Sequence, residues 1–385
     1  MADNKKGVWD LQLVRDERLQ GDWTYSSSVD AGPMYMWAYN ANGQQGQNNR
    51  SNYSSPQQLS GTSWQRAEGS QNVSSAIKED GTLWIWGVNS GGQVGANDII
   101  NRSSPVQVPG TEWSKVGVGE GVAVASKTDG TLWSWGKNAY GQQGSNDTVQ
   151  RSSPAQIPGT EWTGNLSVGG RGISCVKTDG TLWVWGEDHW GQLGGNGPLE
   201  VNRSSPYQIP GTQWAGTAMR DRNSLFMKTD GTLYATGYNS NGQLGLNNKT
   251  PYSSPVQLPG TDWRYSEYSA AVNFYGSLAQ KTDGTLWSWG YNSGFATLGH
   301  NNRTNYSSPT QIPGTSWKEG GIGAGRYHNI CLKDDGTLWA WGIGTSGELG
   351  QNSPNSNYSS PVQIPGTSWA RVYSGNYHAF GIQSP

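Results

Sequence analysis

The chain has 385 residues, of which 33% are hydrophobic and 14% charged, with 56 Gly, 18 Pro, 21 Trp and a formal net charge of -2. Binding to a phosphate backbone needs clustered Lys and Arg, and no basic run exists, so nucleic acid is excluded as a partner. The start, MADNKKGVWDLQ, lacks the apolar core of a signal peptide, and no window of about 18 apolar residues is present, so neither export nor membrane insertion is expected.

Residues 1–30 stand apart as an N-terminal segment. Within it, GVWDLQLVRDERLQGDW (7–23) places Val8, Leu11 and Val14 at helical spacing, which predicts a short helical or extended anchor using Val8, Trp9, Leu11 and Val14. One or two turns do not fold alone. The segment must therefore dock on the rest of the chain, on another subunit or on a larger particle.

From residue 31 onward the chain repeats. The motif KTDGTLWSWG occurs at 127–136 and again at 281–290. Its Asp recurs as Asp80, Asp129, Asp179, Asp230, Asp283 and Asp335, in steps of 49, 50, 51, 53 and 52 residues. A divergent copy, AGPMYMWAYN (31–40), makes seven units, each carrying Ser-Ser-Pro and then Gly-Thr-x-Trp. Asp-Gly between runs of β-branched and aromatic residues is a hairpin signal. Alternation puts Trp183 and Trp185 on one strand face and Val184 on the other.

Units of about 50 residues built from short strands predict an all-β, seven-bladed β-propeller over residues 31–385. The chain ends where the turn Asp of an eighth copy would stand. Residues 33–39 are then the missing partner strand, so the N- and C-terminal strands are expected to complete one shared blade.

The runs Trp135-Gly136-Lys137-Asn138 with Gly141-Gln142-Gln143-Gly144, and Gly191-Gln192-Leu193-Gly194, resemble the regulator-of-chromosome-condensation repeat. That resemblance implies a seven-bladed propeller of four-stranded blades. It selects no function, since related propellers act as a nucleotide exchange factor, a β-lactamase inhibitor and an ultraviolet receptor. Units held to 49–53 residues leave no room for the exchange factor's inserted wedge. Gly325-Arg326-Tyr327-His328-Asn329 stands where the receptor has Gly-Trp-Arg-His-Thr.

No catalytic residues, cofactor or metal site are expected, and the protein is read as a non-enzyme. His328 and His378 fall at equivalent repeat positions. Cys175 and Cys331 fall at another, where sister units carry Ala76 and Ala125, so both cysteines are expected to be buried and free. The turn Asp residues sit on separate blades.

The repeat varies most informatively just before Ser-Ser-Pro, where Tyr53, Arg102, Arg151, Arg203, Tyr252, Tyr306 and Tyr358 stand. Their stems either cover the adjacent loop or form a circle of hot-spot residues. The second reading makes them, with Trp190 as an exposed tryptophan outside the pattern, a binding face for a glycan or protein. One unit also lacks the Trp pair, having Tyr234 and Thr236 instead.

The N-terminal segment is similar to short leaders that precede repetitive domains in marine bacteriophage virion proteins. That resemblance implies a structural or adhesion protein of a particle: a fibre, spike or decoration protein located in the virion. Its partners would be other virion proteins through the leader and a host-surface glycan or protein through the ring. The alternative is a free protein- or glycan-binding propeller, such as an inhibitor or lectin-like module.

Overall fold

A computed structural model describes residues 31–162, 165–197 and 201–384. The anchor residues Val8, Trp9, Leu11 and Val14 lie outside them. The described chain is all β, in seven four-stranded antiparallel sheets. Blade 1 is formed by Trp64–Gly69, Val73–Lys78, Leu83–Gly87 and Arg102–Gln107, running outward from the central channel. Five further blades follow in the same order, with inner strands Trp113–Val118, Leu166–Gly169, Trp214–Met219, Ala270–Val272 and Trp317–Ala324.

Blade 7 is shared. Its inner strands, Trp369–Ser374 and His378–Gln383, are completed by Met34–Ala38 and Tyr53–Gln58 from the other end of the chain. Met34 pairs with Ile382 and Ala38 with His378. Closure of this kind leaves no open ring edge to recruit other strands.

The repeated motif is structural throughout. In the first hairpin, Thr82 donates its N–H and its hydroxyl to Asp80 Oδ1, at 3.0 and 2.6 Å, and Trp84 Nε1 donates to the Thr82 hydroxyl at 2.9 Å. These bonds hold the Asp80 carboxyl below its ordinary pKa. Lys78 then lies over the rings of Trp64 and Trp84, at 4.9 and 4.6 Å. Each Asp, Thr, Lys and first Trp of the motif thus has a partner within its own blade.

The second Trp joins blades. Trp86 is fully buried and donates from Nε1 to the Gln44 carbonyl of the preceding loop at 2.7 Å, and Trp135 donates likewise to Gln93 at 3.0 Å. A buried tryptophan that keeps its N–H bonded contributes its full apolar area without an unpaired donor. Both cysteines are buried and free.

The channel is not a plain tube. Before the short inner strand of blade 5, residues 264–269 fold inward. Glu267 there accepts from Arg66 of blade 1 at 2.7 Å and pairs with Lys115 of blade 2 at 3.2 Å, across the ring. Glu68 is half-buried beside Tyr268, and desolvation raises its pKa to about 7. The remaining cavity among the inner strands is about 90 Å³.

Candidate functional site

Strands one and two of each blade are joined by a short turn, at the ring face opposite the Asp-Gly hairpins. The residue entering strand two is Asn72, Gly121, Arg171, Arg222, Tyr275, Tyr327 and Tyr377 in blades 1 to 7. The carbonyl of this residue accepts from the residue after strand three, as that of Arg222 does from the Tyr238 N–H, and on one side of the ring the position is filled by Arg and Tyr.

There the side chains form a continuous array. The Arg222 guanidinium lies 4.4 Å from the Phe274 ring, 5.1 Å from Trp190 and 5.5 Å from Tyr238. Arg326 continues it, 4.6 Å from Phe274 and 5.2 Å from Tyr327, and donates to the Tyr377 hydroxyl at 2.7 Å. Tyr275 stacks on Tyr327 at 5.7 Å and 24°, with Phe295 at 4.7 Å from Tyr327. Tyr39, from the shared blade, meets Tyr377 at 6.1 Å. Each cation–π contact stabilises by about 0.5–1 kcal/mol at exposed sites. Together they fix flat rings and guanidinium planes in advance of any ligand.

Trp190 belongs to this array and is half-buried rather than exposed. It packs between His189 at 4.6 Å and Tyr238 at 5.0 Å. Its loop is held by Asp188, which takes the place of Asn40 and Asn89 and accepts from the Leu193 N–H at 3.0 Å. Burial outweighs that bond and raises the Asp188 carboxyl to about 6.

The Arg and Tyr residues before Ser-Ser-Pro lie elsewhere, one per blade at the start of the outer strand. Arg102 pairs with Asp98, and Arg151 with Asp147 at 2.6 Å. The hydroxyls of Tyr53 and Tyr306 accept from Asn49 and Asn302, at 3.0 and 3.1 Å, and that of Tyr252 from Asn248 at 3.4 Å. Arg203 stacks on Tyr207 at 4.0 Å, and Tyr358 packs on the buried cluster around Trp37 and Trp369. Tyr53, Arg102, Arg151, Tyr252 and Tyr306 each close their own blade's loop, and the ring does not bring the seven together.

The remaining candidate chemistry is internal. His328 and His378 are buried, bonded to the hydroxyls of Ser374 and Ser74, and desolvation lowers both to about 3. Burial raises the Cys175 thiol to about 12. Neither a neutral His of this kind nor such a thiol is poised for proton transfer or attack at neutral pH. Among the described residues no group of three or more His, Cys, Asp or Glu is placed to hold a metal ion.

Comparison with known proteins agrees with this architecture. The regulator of chromosome condensation (RCC1) repeat profile matches residues 80–126, 129–170, 230–265, 283–332 and 335–382. Similar proteins include the human E3 ubiquitin-protein ligase HERC2, 35% identical over 133 residues, which are 34% of this chain and 3% of that protein. Another is the X-linked retinitis pigmentosa GTPase regulator homolog of Caenorhabditis elegans, 30% identical over 145 residues, 37% of this chain and 10% of that protein. The chain thus corresponds to a small part of these relatives. Among solved structures, Prp20p of Saccharomyces cerevisiae superimposes with a TM-score of 0.81 at 18% identity, over 92% of both chains. Human WBSCR16 does so with a TM-score of 0.79 at 18% identity, over 92% of this chain and 100% of that one. With the repeat profile covering more than half of its length, the chain belongs to the RCC1 repeat family.

Proposed function

We propose that this propeller is a protein-binding module whose docking surface is the arginine and aromatic array of blades 3 to 7. The observation that carries the reading is the pair Arg222 and Arg326, whose guanidinium groups both lie over the Phe274 ring. Arginine and large aromatics dominate contact energies at protein interfaces because they bury much area at low entropy cost. A rigid patch also spares the ordering cost of binding. Prp20p, which shares the fold, was described with its binding to Gsp1p and histones, and that precedent supports a protein as the class of ligand.

The named relatives are a eukaryotic ubiquitin-protein ligase and a GTPase regulator homolog. They favour the free binding module over a virion component. The leader similarity that pointed to a bacteriophage falls in residues 1–30, outside the described residues, and the relatives add no support to virion or glycan partners.

A photo-crosslinking residue at Phe274, compared with one at Thr131 on the opposite face, tests the reading. The expected result is a discrete crosslinked partner from position 274 only. That partner, purified, should bind the Arg222→Ala/Arg326→Ala variant at least tenfold more weakly. Equal crosslinking from both faces, or unchanged affinity in the double variant, overturns it.

A further inference from the structure

On the face that carries the arginine and aromatic array, three positions meet where one blade joins the next. They are the residue entering strand two, the residue after strand three, and a residue of the preceding blade's long loop. At blade 4 these are Arg222, Tyr238 and Trp190, with the guanidinium 5.5 and 5.1 Å from the two rings. At blade 3 they are Arg171, Glu187 and Tyr140, and Arg171 pairs with Glu187 at 3.4 Å and lies 4.7 Å from the Tyr140 ring. At blade 1, Asn42 of the loop donates to Asn72 Oδ1 at 3.0 Å.

Blade 2 differs. Two of its three positions are Gly121 and Gly91, and the third is Lys137. The lysine stem takes the room that side chains would need: a Cβ at Gly91 would stand 2.5 Å from Lys137 Cγ, and one at Gly121 would stand 2.7 Å from Lys137 Cδ. Beside it a cleft of about 410 Å³ stays open, lined among others by Ser70, Gln93, Glu120, Lys137, Gln142 and Arg171.

The lining is rich in donors that the fold does not use. Ser70, Gln93 and Gln142 are only 6%, 3% and 1% exposed. The side-chain oxygens of the two glutamines accept from the N–H groups of Gly91 and Tyr140, each at 2.8 Å. Among the described residues, the Ser70 hydroxyl and Nε2 of both glutamines have no hydrogen-bond partner, and the Lys137 ammonium has no carboxylate. Buried donors in that state are met by water or by a ligand. The one acidic residue of the lining, Glu120, is already paired with Arg171 Nε at 3.1 Å. Lys137 is left carrying the unbalanced charge.

We propose that this cleft receives a carboxylate, the side chain of a Glu or Asp on the docked protein, with Lys137 as its counter-ion and the glutamine amides as its donors. Blade 3 shows the completed arrangement, where Glu187 supplies from within the chain the carboxylate that meets Arg171. At blade 2 the chain supplies the cation alone. An ionised carboxylate only accepts, and its two oxygens take several donors at once. Bonds to it are also stronger than bonds to a neutral amide. A protein as the source rests on the reading of this face as a docking surface, whereas the carboxylate chemistry rests on the cleft itself.

Glutamate capped as its N-acetyl amide, whose side-chain carboxylate is its single charge, is the probe, and capped glutamine is its uncharged match. Titration into the whole chain should give saturable shifts of the methyl resonances of Val73 and Val88, which line the cleft. Val184, fully buried in blade 3, should not move. Capped glutamine should bind about tenfold more weakly, the loss expected for a bond to a charged group. Lys137→Gln, at an exposed position, should erase the difference between the two probes. Because the probe is a small molecule, its binding is read whether or not a protein is crosslinked at Phe274. No saturable shift at Val73 and Val88, equal affinity for the two probes, or an undiminished preference in Lys137→Gln would overturn the assignment.

Discussion

Arg151 stands four residues after Asp147 and donates to both of its carboxylate oxygens, at 3.1 Å to Oδ1 and 2.6 Å to Oδ2. Three other blades make the same closure with a different pair, Asn49 with Tyr53, Asn248 with Tyr252 and Asn302 with Tyr306. The Asp or Asn also binds a second Asn of the loop, as Asp147 binds Asn138 at 2.9 Å. In five blades position and partner therefore vary together, Arg with Asp and Tyr with Asn, while Arg203 and Tyr358 follow Leu199 and Pro354 and stand outside the pattern.

This covariation predicts the outcome of a swap. Arg151→Tyr alone leaves Asp147 without its cation and should destabilise slightly. Adding Asp147→Asn recreates the sister pair and should restore stability. Because both side chains are partly solvated, the coupling energy in a double-mutant cycle should lie below about 1 kcal/mol. Denaturant titration of the four proteins measures it, and simple additivity would show that the pair does not act as a unit.

A second prediction concerns Ala38. It ends its strand at a φ of 85°, where the matching Gly87, Gly136 and Gly290 have φ of 111°, 103° and 116°. A Cβ at Gly87 would lie 2.2 Å from the Asn72 carbonyl oxygen. Left-handed backbone costs an L-residue about 1–2 kcal/mol, and the closing blade bears that cost at Ala38. Ala38→Gly should raise the melting temperature, while Gly87→Ala should lower it by a larger amount. Thermal unfolding of both variants decides this, and a destabilised Ala38→Gly would contradict it.

The repeat was legible because it is written seven times. Asp-Gly, the first Trp of each pair and Gly-Thr-x-Trp each meet a partner within their own blade, so spacing alone placed the hairpins, and the half-unit at each chain end placed the closing blade. The array around Arg222 and Arg326 was not found that way, because a loop turn imposes no residue type and shows no period. A signal was present: the column Asn72, Gly121, Arg171, Arg222, Tyr275, Tyr327, Tyr377 changes character halfway round the ring. The column before Ser-Ser-Pro holds residues of which five, Tyr53, Arg102, Arg151, Tyr252 and Tyr306, are bonded within their own loops. The Arg66–Glu267 pair, separated by 201 residues, has no local pattern by which sequence could reveal it.

The last prediction is a pH dependence with two opposite signs. Burial raises Glu68 from 4.5 to about 7, with Tyr268, Glu267, Arg220 and Arg66 around it. The folded state therefore holds this proton more tightly than the unfolded chain does. The contribution is fully present below pH 4.5 and is lost as pH rises to about 7, at up to roughly 1.4 kcal/mol per pH unit. His328 and His378 act the other way. Desolvation lowers both from 6.5 to about 3, with Arg220 adding to the effect. Their contribution is present above pH 6.5 and is lost as pH falls towards 3, because only the unfolded chain takes up those protons. Glu68→Gln should accordingly gain stability relative to the native chain as pH rises from 4.5 to 7, and match its trend below. His378→Val, which installs the residue found at Val73 and Val122, should gain relative stability as pH falls below 6.5. Urea unfolding across pH 4 to 8 reads both differences. A pH-independent difference for Glu68→Gln would mean that the channel hydrates this carboxylate, and the burial argument would fail.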